Sequence, residues 1–118
     1  MTGIMNALED FYKRVNNITP DEMIIICNDI RIVEQTLFDC KINCEFNFRE
    51  IPDLYGILSW GFYQKERKFR LLWEEISRDD NSIFSLPVIE CKFKIRTIVH
   101  SHLSNFLRAF ADYIEENE

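Results

Sequence analysis

The two histidines and four cysteines are the residues whose spacing would most directly indicate a metal site. His100 and His102 are separated by one residue, and on a strand such a pair would aim both imidazoles at one ion. On a helix, residues two apart diverge by about 200° around the axis, so the imidazoles would not converge. Cys40 and Cys44 have a loose spacing for zinc, and alternation places Cys44 on the buried face of an expected strand. The sequence therefore predicts free thiols, solvated histidines and no metal site.

The motifs of nucleophilic, phosphate-binding and acid–base chemistry are also missing. No serine or cysteine stands in a nucleophile motif with a spaced base. A phosphate-cradling loop needs glycines close together, and the three glycines are scattered at Gly3, Gly56 and Gly61. Adjacent carboxylates such as Glu74 and Glu75 point to opposite faces of a strand. We therefore predict that the protein is not an enzyme and uses no cofactor.

Composition restricts the partners and the compartment. A chain of 118 residues with 47% hydrophobic residues suits one core, so we expect a single domain over residues 1–118. The net charge of −6 provides no basic excess for a nucleic acid. Apolar runs such as Met23–Cys27 are too short to span a bilayer, and the first residues lack a secretory pattern. We expect a cytoplasmic protein with no nucleic-acid or membrane partner.

Apolar periodicity predicts two N-terminal helices. Between residues 6 and 16 the apolar side chains form one stripe, made of Leu8, Phe11, Tyr12 and Val15. A second helix would begin after Thr19, because threonine is a good N-cap and Pro20 suits the first helical position. Its inward positions are apolar or small: Met23, Ile26, Cys27, Ile30, Val33 and Leu37. Beyond Asp29 the isoleucine-rich sequence also suits a strand, although we expect the helix to continue.

Alternation of apolar and polar residues predicts the sheet. Lys41 to Arg49 alternates throughout, which is typical of a strand with one buried face. Tyr55 to Gln64 and Lys68 to Glu74 would form a β-hairpin around a polar four-residue turn. A polar loop, Ser77 to Ser82, would follow it.

The remaining residues predict a short strand and a long helix. Val88 to Glu90 would form the strand, and the helix would begin around residues 93–97. The predicted fold class is α+β. We expect an antiparallel sheet of three to four strands, with two N-terminal helices and one long C-terminal helix packed on it.

One face of the hairpin is a candidate docking surface. Alternation directs Trp60 toward the core and leaves Tyr63 on the other face, beside the small residues Ser59 and Gly61. We expect this second face to be exposed and flat, as a protein interface would need. Acidic residues occur further along the hairpin and in the loop that follows it. The predicted partner-binding residues are Tyr63, Glu74, Glu75, Asp79 and Asp80.

Three segments together suggest a family. Trp60-Gly61-Phe62-Tyr63, then Phe69-Arg70-Leu71-Leu72-Trp73-Glu74-Glu75, then Leu86-Pro87-Val88-Ile89-Glu90-Cys91 before a final helix with Arg96, resemble small bacterial immunity proteins of polymorphic or contact-dependent toxin systems. The resemblance covers the C-terminal half of the chain. It implies a cytoplasmic protein that neutralises a cognate toxin by binding it, and many such toxins are nucleases with basic clefts.

We therefore expect an inhibitory protein-binding module, whose acidic loop, Arg78 to Ser82, and adjoining hairpin residues occlude a basic toxin surface. A secretion chaperone or adaptor is the alternative, since such proteins are also small and acidic and dimerise through an apolar face. An enzyme would require a deep pocket that holds His100 or His102 beside a carboxylate. The sequence leaves the oligomeric state and the identity of the partner open.

Overall fold

The structure, a computed structural model, describes residues 2–16, 19–49, 51, 56–76 and 83–117. The predicted loop from Ser77 to Ser82, with Asp79 and Asp80, lies outside these residues, as does Tyr55 at the predicted start of the hairpin. The elements in chain order are α1 (Thr2–Asn16), α2 (Pro20–Asp39), β1 (Phe46–Phe48), β2 (Gly56–Tyr63), β3 (Lys68–Ile76), β4 (Ile83–Pro87), a short 3₁₀ helix (Val88–Glu90) and α3 (Phe93–Glu116).

The four strands form an antiparallel sheet in the order β1-β2-β3-β4. Trp60 pairs with Leu71 and Leu58 with Trp73 in the register of β2 and β3, and all four side chains are fully buried. Helices α2 and α3 pack on this face of the sheet, while α1 contacts α2. The predicted α+β class and the predicted arrangement of helices and strands are confirmed.

Helix α2 begins and ends as local chemistry dictates. At its start the Thr19 hydroxyl accepts a hydrogen bond from the Glu22 amide at 3.2 Å, and the Glu22 carboxylate accepts one from the Thr19 amide. This reciprocal capping box satisfies two amides that the first helical turn leaves unpaired. The helix runs without a break to Asp39, so the alternative of a strand beyond Asp29 was wrong.

The end of α2 places a lysine in an unusual conformation. The Lys41 amide donates to the Phe38 carbonyl and the Ile42 amide to the Leu37 carbonyl, which together form a Schellman motif. The motif requires a left-handed residue, and Lys41 supplies it with a φ of 56°. Glycine usually occupies this position, because a side chain there costs about 1 kcal/mol.

The first predicted strand is much shorter than expected. Only Phe46–Phe48 pairs with β2, whereas residues 41–45 form the exit from α2. The Ile42 carbonyl accepts a hydrogen bond from the Trp60 indole at 2.9 Å and so serves a side chain rather than a neighbouring strand. Cys44 is therefore exposed, and its predicted place on a buried strand face was wrong.

The last strand lies earlier in the chain than predicted. Val88–Glu90 is a 3₁₀ helix, and the strand is Ile83–Pro87 instead. The ladder with β3 ends at the pair of Leu72 with Pro87, because proline has no amide hydrogen with which to extend it. The predicted start of the long C-terminal helix at residues 93–97 is confirmed, since α3 begins at Phe93.

Gly56 is the glycine that the core requires. A Cβ atom added there would lie 2.1 Å from the Trp73 ring, whereas one added at Gly61 would lie 3.4 Å from its nearest neighbour, a methyl group of Leu72. We predict that Gly56→Ala lowers the free energy of unfolding by about 2–3 kcal/mol, because the buried indole must move. Urea denaturation measures this change. Gly61→Ala is the matched control, and an equal loss in both variants would contradict the packing account.

Candidate functional site

The structure separates the residues that the sequence grouped into one surface. Tyr63 pairs with Lys68 beside the hairpin turn, whereas Glu74 and Glu75 lie at the other end of β3. The six residue-to-residue steps along β3 from Lys68 to Glu74 correspond to about 20 Å. Glu74 and Glu75 therefore belong to one end of the sheet and Tyr63 to the opposite end. Asp79 and Asp80 fall outside the described residues.

The face of the hairpin that carries Tyr63 is not the exposed surface that the sequence predicted. Ser59 is only 2% exposed, Gly61 is buried and Tyr63 is half-buried. Leu72, which lies opposite Ser59, is 3% exposed and packs against the space left by the missing side chain of Gly61. The small residues thus accommodate a neighbouring leucine and do not form an open platform.

Glu74 and Glu75 lie beside an exposed apolar strand. Glu75 is opposite Phe84 and Glu74 is opposite Ser85, which places Glu75 one residue pair away from Ile83 and Glu74 two pairs away. Ile83 is 69% exposed and Phe84 is 44% exposed. Because successive side chains of a strand alternate, Ile83 shares a face with Glu74 and Phe84 shares the other with Glu75. We call these four residues the β4-edge patch.

The outer edge of β4 offers unpaired backbone. Within the described part of the chain no strand pairs with that edge, and the side chains of Glu74 and Glu75 form no hydrogen bond or ion pair. Sequence reasoning missed Ile83 and Phe84 because it placed the strand five residues too late. Two large apolar residues directly after a polar loop were the signal that could have identified them.

Cys91 lies close to the β4-edge patch, but its thiol is not reactive at neutral pH. Its thiol is buried and donates a hydrogen bond to the Pro87 carbonyl at 3.5 Å. Burial raises the pKa of Cys91 to about 11, and the negative charges of Glu75 and Glu90 add to the rise while Arg96 opposes it. The thiol is therefore protonated at neutral pH and is not a nucleophile. All four cysteines are free, with Cys40 and Cys44 exposed.

A half-buried ion pair joins α2 to the edge of β3. Arg70 donates from Nε and Nη2 to the two carboxylate oxygens of Glu34, at 2.8 and 3.1 Å, and from Nη1 to Glu66. Burial would lower the pKa of Arg70, but the hydrogen bonds to Glu34 and Glu66 outweigh it and raise the pKa. Glu34 also accepts the Leu71 amide at 2.8 Å. No sequence pattern indicates such a contact, because its partners are 36 residues apart.

The remaining candidate for chemistry is His100. Its Nε2 lies 2.7 Å from Oδ2 of Asp29, and the pair joins α2 to α3. Both residues line an open depression of about 320 Å³ that also contains Ser104. The carboxylate that the enzymatic alternative required is present, but no hydrogen bond joins His100 to Ser104. Nothing in this depression therefore activates the serine hydroxyl as a catalytic dyad would.

The described residues form neither a metal cluster nor a membrane-spanning helix. Across residues 2–16, 19–49, 51, 56–76 and 83–117, no three histidine, cysteine or acidic side chains cluster as a metal site would require. His102 is half-buried on α3, two positions beyond His100. None of the described helices is long and apolar enough to cross a membrane.

Comparison with known proteins adds no relative. No family model, no curated protein and no solved structure matches the chain. Any function proposed for this chain therefore rests on its own residues. The resemblance to immunity proteins stays a prediction from the sequence.

The raised pKa of Cys91 predicts a loss of stability at alkaline pH. Above pH 9.0, the ordinary pKa of the thiol, the unfolded chain loses this proton, whereas the folded protein keeps it up to about pH 11. The free energy of unfolding should therefore fall across this interval by about 2–3 kcal/mol from this group alone.

Urea denaturation of the wild type and of Cys91→Ala, at pH 8 and at about pH 11, isolates this contribution. The stability advantage of the wild type over Cys91→Ala should shrink at the higher pH. Cys40→Ala, at an exposed thiol, controls for the other groups that titrate. A constant difference between wild type and Cys91→Ala would show that the thiol is not held neutral by the fold.

Proposed function

We propose that this protein is a non-catalytic protein-binding module of the immunity type, which acts in the cytoplasm by binding and blocking a basic toxin domain. The observation that carries the proposal is the β4-edge patch, where Ile83 and Phe84 are exposed on a strand whose outer edge pairs with no other described strand, beside Glu74 and Glu75. The patch combines an apolar centre, an acidic border and free backbone groups, which are the elements of a protein interface.

The sequence of β4 supports this use of the strand. Natural edge strands are normally protected from other chains by charged side chains, by bulges or by a covering element. Residues 83–87 contain no charged side chain, and the first two are large and apolar. An edge of this kind tends to pair with another polypeptide, because its amide and carbonyl groups are already extended for a ladder.

Charge indicates what kind of partner would fit. The chain has a net charge of −6, and Glu74 and Glu75 form no ion pair with the described residues. A basic partner would neutralise these carboxylates, and its association would be accelerated by electrostatic attraction. Asp79 and Asp80 lie in the sequence between β3 and β4. Because of this position, we propose that the basic partner neutralises their charges as well.

The proposed mechanism is occlusion. The module would cover a basic surface of the toxin with an apolar and acidic one, and it would form and break no covalent bond. Such an inhibitor needs a rigid presentation of its contact residues. The ladder between β3 and β4 provides it, because Glu75 is held opposite Phe84 and Glu74 opposite Ser85.

A second candidate is a secretion chaperone or adaptor, and one observation favours it. On α1, Ile4 is 67% exposed and Met5 and Leu8 are also exposed, so no other described residue covers these apolar side chains. Amphipathic helices normally bury such a stripe against another element. A second copy of the chain would cover this face in a dimer, as proteins of the chaperone class do.

The binding proposal predicts that substitutions in the β4-edge patch and in the adjoining acidic residues weaken binding of the partner. Ile83→Ser with Phe84→Ser should weaken binding at least tenfold, because interface residues at the centre of a patch contribute most of the affinity. Glu75→Lys with Asp79→Lys and Asp80→Lys should also weaken binding and should reduce its dependence on salt.

The experiment is affinity capture from the native source with each immobilised variant, followed by mass spectrometry and titration of the captured polypeptide. The matched control is Ile24→Ser with Ile25→Ser, which removes two apolar side chains that are each 56% exposed on α2. A stoichiometric basic polypeptide, lost with the patch variants and kept by the control, is expected. Equal binding by the patch variants and the wild type would remove the patch from the proposal.

Oligomeric state separates the two candidate functions. An immunity-type inhibitor should be a monomer in light scattering at micromolar concentration when no partner is present. A dimer that Ile4→Glu with Leu8→Glu converts to a monomer, and that Ile83→Glu leaves intact, would instead favour the chaperone. The two substitutions on α1 act by placing charges within the apolar stripe, where burial in a dimer would cost free energy.

A further inference from the structure

A groove of about 650 Å³ lies between the end of α2 and the turn of the β2–β3 hairpin, at the end of the sheet away from the β4-edge patch. Four aromatic side chains and three cationic ones line it. The aromatic residues are Phe38, Trp60, Phe62 and Phe69, and the cationic residues are Lys41, Arg67 and Lys68. We call it the cationic groove.

The three cations are not used by the fold. Lys41, Arg67 and Lys68 are exposed, and none of them forms an ion pair or hydrogen bond through its side chain with the described residues. Arg70 nearby differs, because Glu34 and Glu66 hold it. In a chain with a net charge of −6, three unpaired cations around one groove form a local positive surface.

Two of these cationic residues have a left-handed backbone conformation. Lys41 has a φ of 56° and Arg67 a φ of 53°, and no other non-glycine residue in the described part of the chain has a positive φ. Lys41 ends α2 in a Schellman motif, and Arg67 follows the turn in which the Glu66 amide donates to the Tyr63 carbonyl. Both local structures would be satisfied by glycine. The backbone therefore explains the conformation at each position but does not explain the cationic side chain.

The aromatic residues form an apolar wall beside the cations. Phe38 is 49% exposed and Phe62 is 39% exposed, although both are large apolar side chains. Phe62 packs edge-to-face on Phe69, with ring centroids 5.8 Å apart, so part of the wall is fixed. Asp39 also lines the groove, and its carboxylate accepts a hydrogen bond from the Gln35 side chain at 2.8 Å.

We infer that the cationic groove binds a small amphiphilic carboxylate from solution. The carboxylate would contact Lys41, Arg67 and Lys68, and its hydrocarbon part would lie against Phe38 and Phe62. The volume falls within the range of about 300–1,000 Å³ that small-molecule sites have, and apolar walls with a few polar groups are typical of such sites. The lining carries three cations against the single carboxylate of Asp39, and this positive excess favours an anionic ligand.

This inference is independent of the proposed toxin binding, because no residue of the cationic groove belongs to the β4-edge patch. A single-stranded nucleic acid would be the other anion with apolar surfaces. It is disfavoured because a strand that leaves the groove would meet a chain with a net charge of −6. An acidic peptide is a further occupant that the experiment distinguishes.

The test is a titration of the full chain with decanoate, followed by ¹⁵N-resolved NMR and calorimetry. Decanoate should bind and should shift the amide signals of residues 38–43 and 62–69. Decanol, which has the same tail without the charge, should bind at least tenfold more weakly. The double variant Lys41→Gly with Arg67→Gly should keep the urea midpoint of the wild type, because glycine suits both backbones, and should bind decanoate at least tenfold more weakly.

The matched control is Lys92→Gln with Lys94→Gln, which removes the same charge from exposed positions outside the groove and should leave the affinity unchanged. Lys68→Gln repeats the test without altering a left-handed residue, in case the double glycine variant does not fold. Equal affinity for decanoate and decanol, or an equal loss in the control, would overturn the inference. Displacement of decanoate by an acidic peptide or by oligothymidylate at lower concentration would overturn it in favour of that partner.

Discussion

The rest of the structure depends on the hydrogen bonds that the Glu34 carboxylate forms with β3. Strand β4 pairs only with the second half of β3, from Leu72 to Ile76, so among the described residues the first half of that edge has no neighbouring strand. Glu34 takes the place of the missing strand, because it accepts the Leu71 amide and holds Arg70 by two hydrogen bonds. A buried amide without a partner would destabilise the sheet, so α2 is tied to this position.

This tie determines what lies at each end of the sheet. Because Glu34 fixes the second half of α2 beside the hairpin turn, Phe38 and Lys41 are brought to the same groove as Arg67. At the other end α2 is absent from the edge, and β4 occupies it with Ile83 and Phe84 exposed. The offset of β4 along β3 thus leaves the cationic groove at one end of the sheet and the apolar, acidic β4-edge patch at the other.

The sequence predicted the elements that depend on local order. Helix α2 followed from its cap and its apolar stripe, and the hairpin followed from alternation on both sides of a polar turn. The errors arose where the backbone conformation or chemistry of a single residue redirects the chain. The left-handed conformation at Lys41 turns the chain away from the expected strand, and Pro87 ends β4 before the residues in which the alternation placed it. Neither effect produces a periodic pattern of apolar and polar residues, so sequence periodicity could not predict it.

The candidate surfaces were less predictable than the fold. Glu74 and Glu75 were identified from charge alone, but the apolar residues beside them depended on the correct position of β4. Tyr63 was grouped with them although it lies at the far end of the hairpin, because proximity in sequence does not fix a distance along a strand. The contact of Glu34 with Arg70 crosses 36 residues and is visible only in three dimensions.

Hydrogen exchange with mass spectrometry, on the chain alone and with its captured partner, tests the central claim most directly. If the partner covers the free edge, the amides of residues 83–86 should exchange more slowly in the complex, since they gain partners or lose contact with water. Residues 38–43 and 62–69 should be unchanged. Protection of those groove residues, with no change in β4, would contradict the assignment of the β4 edge as the binding surface.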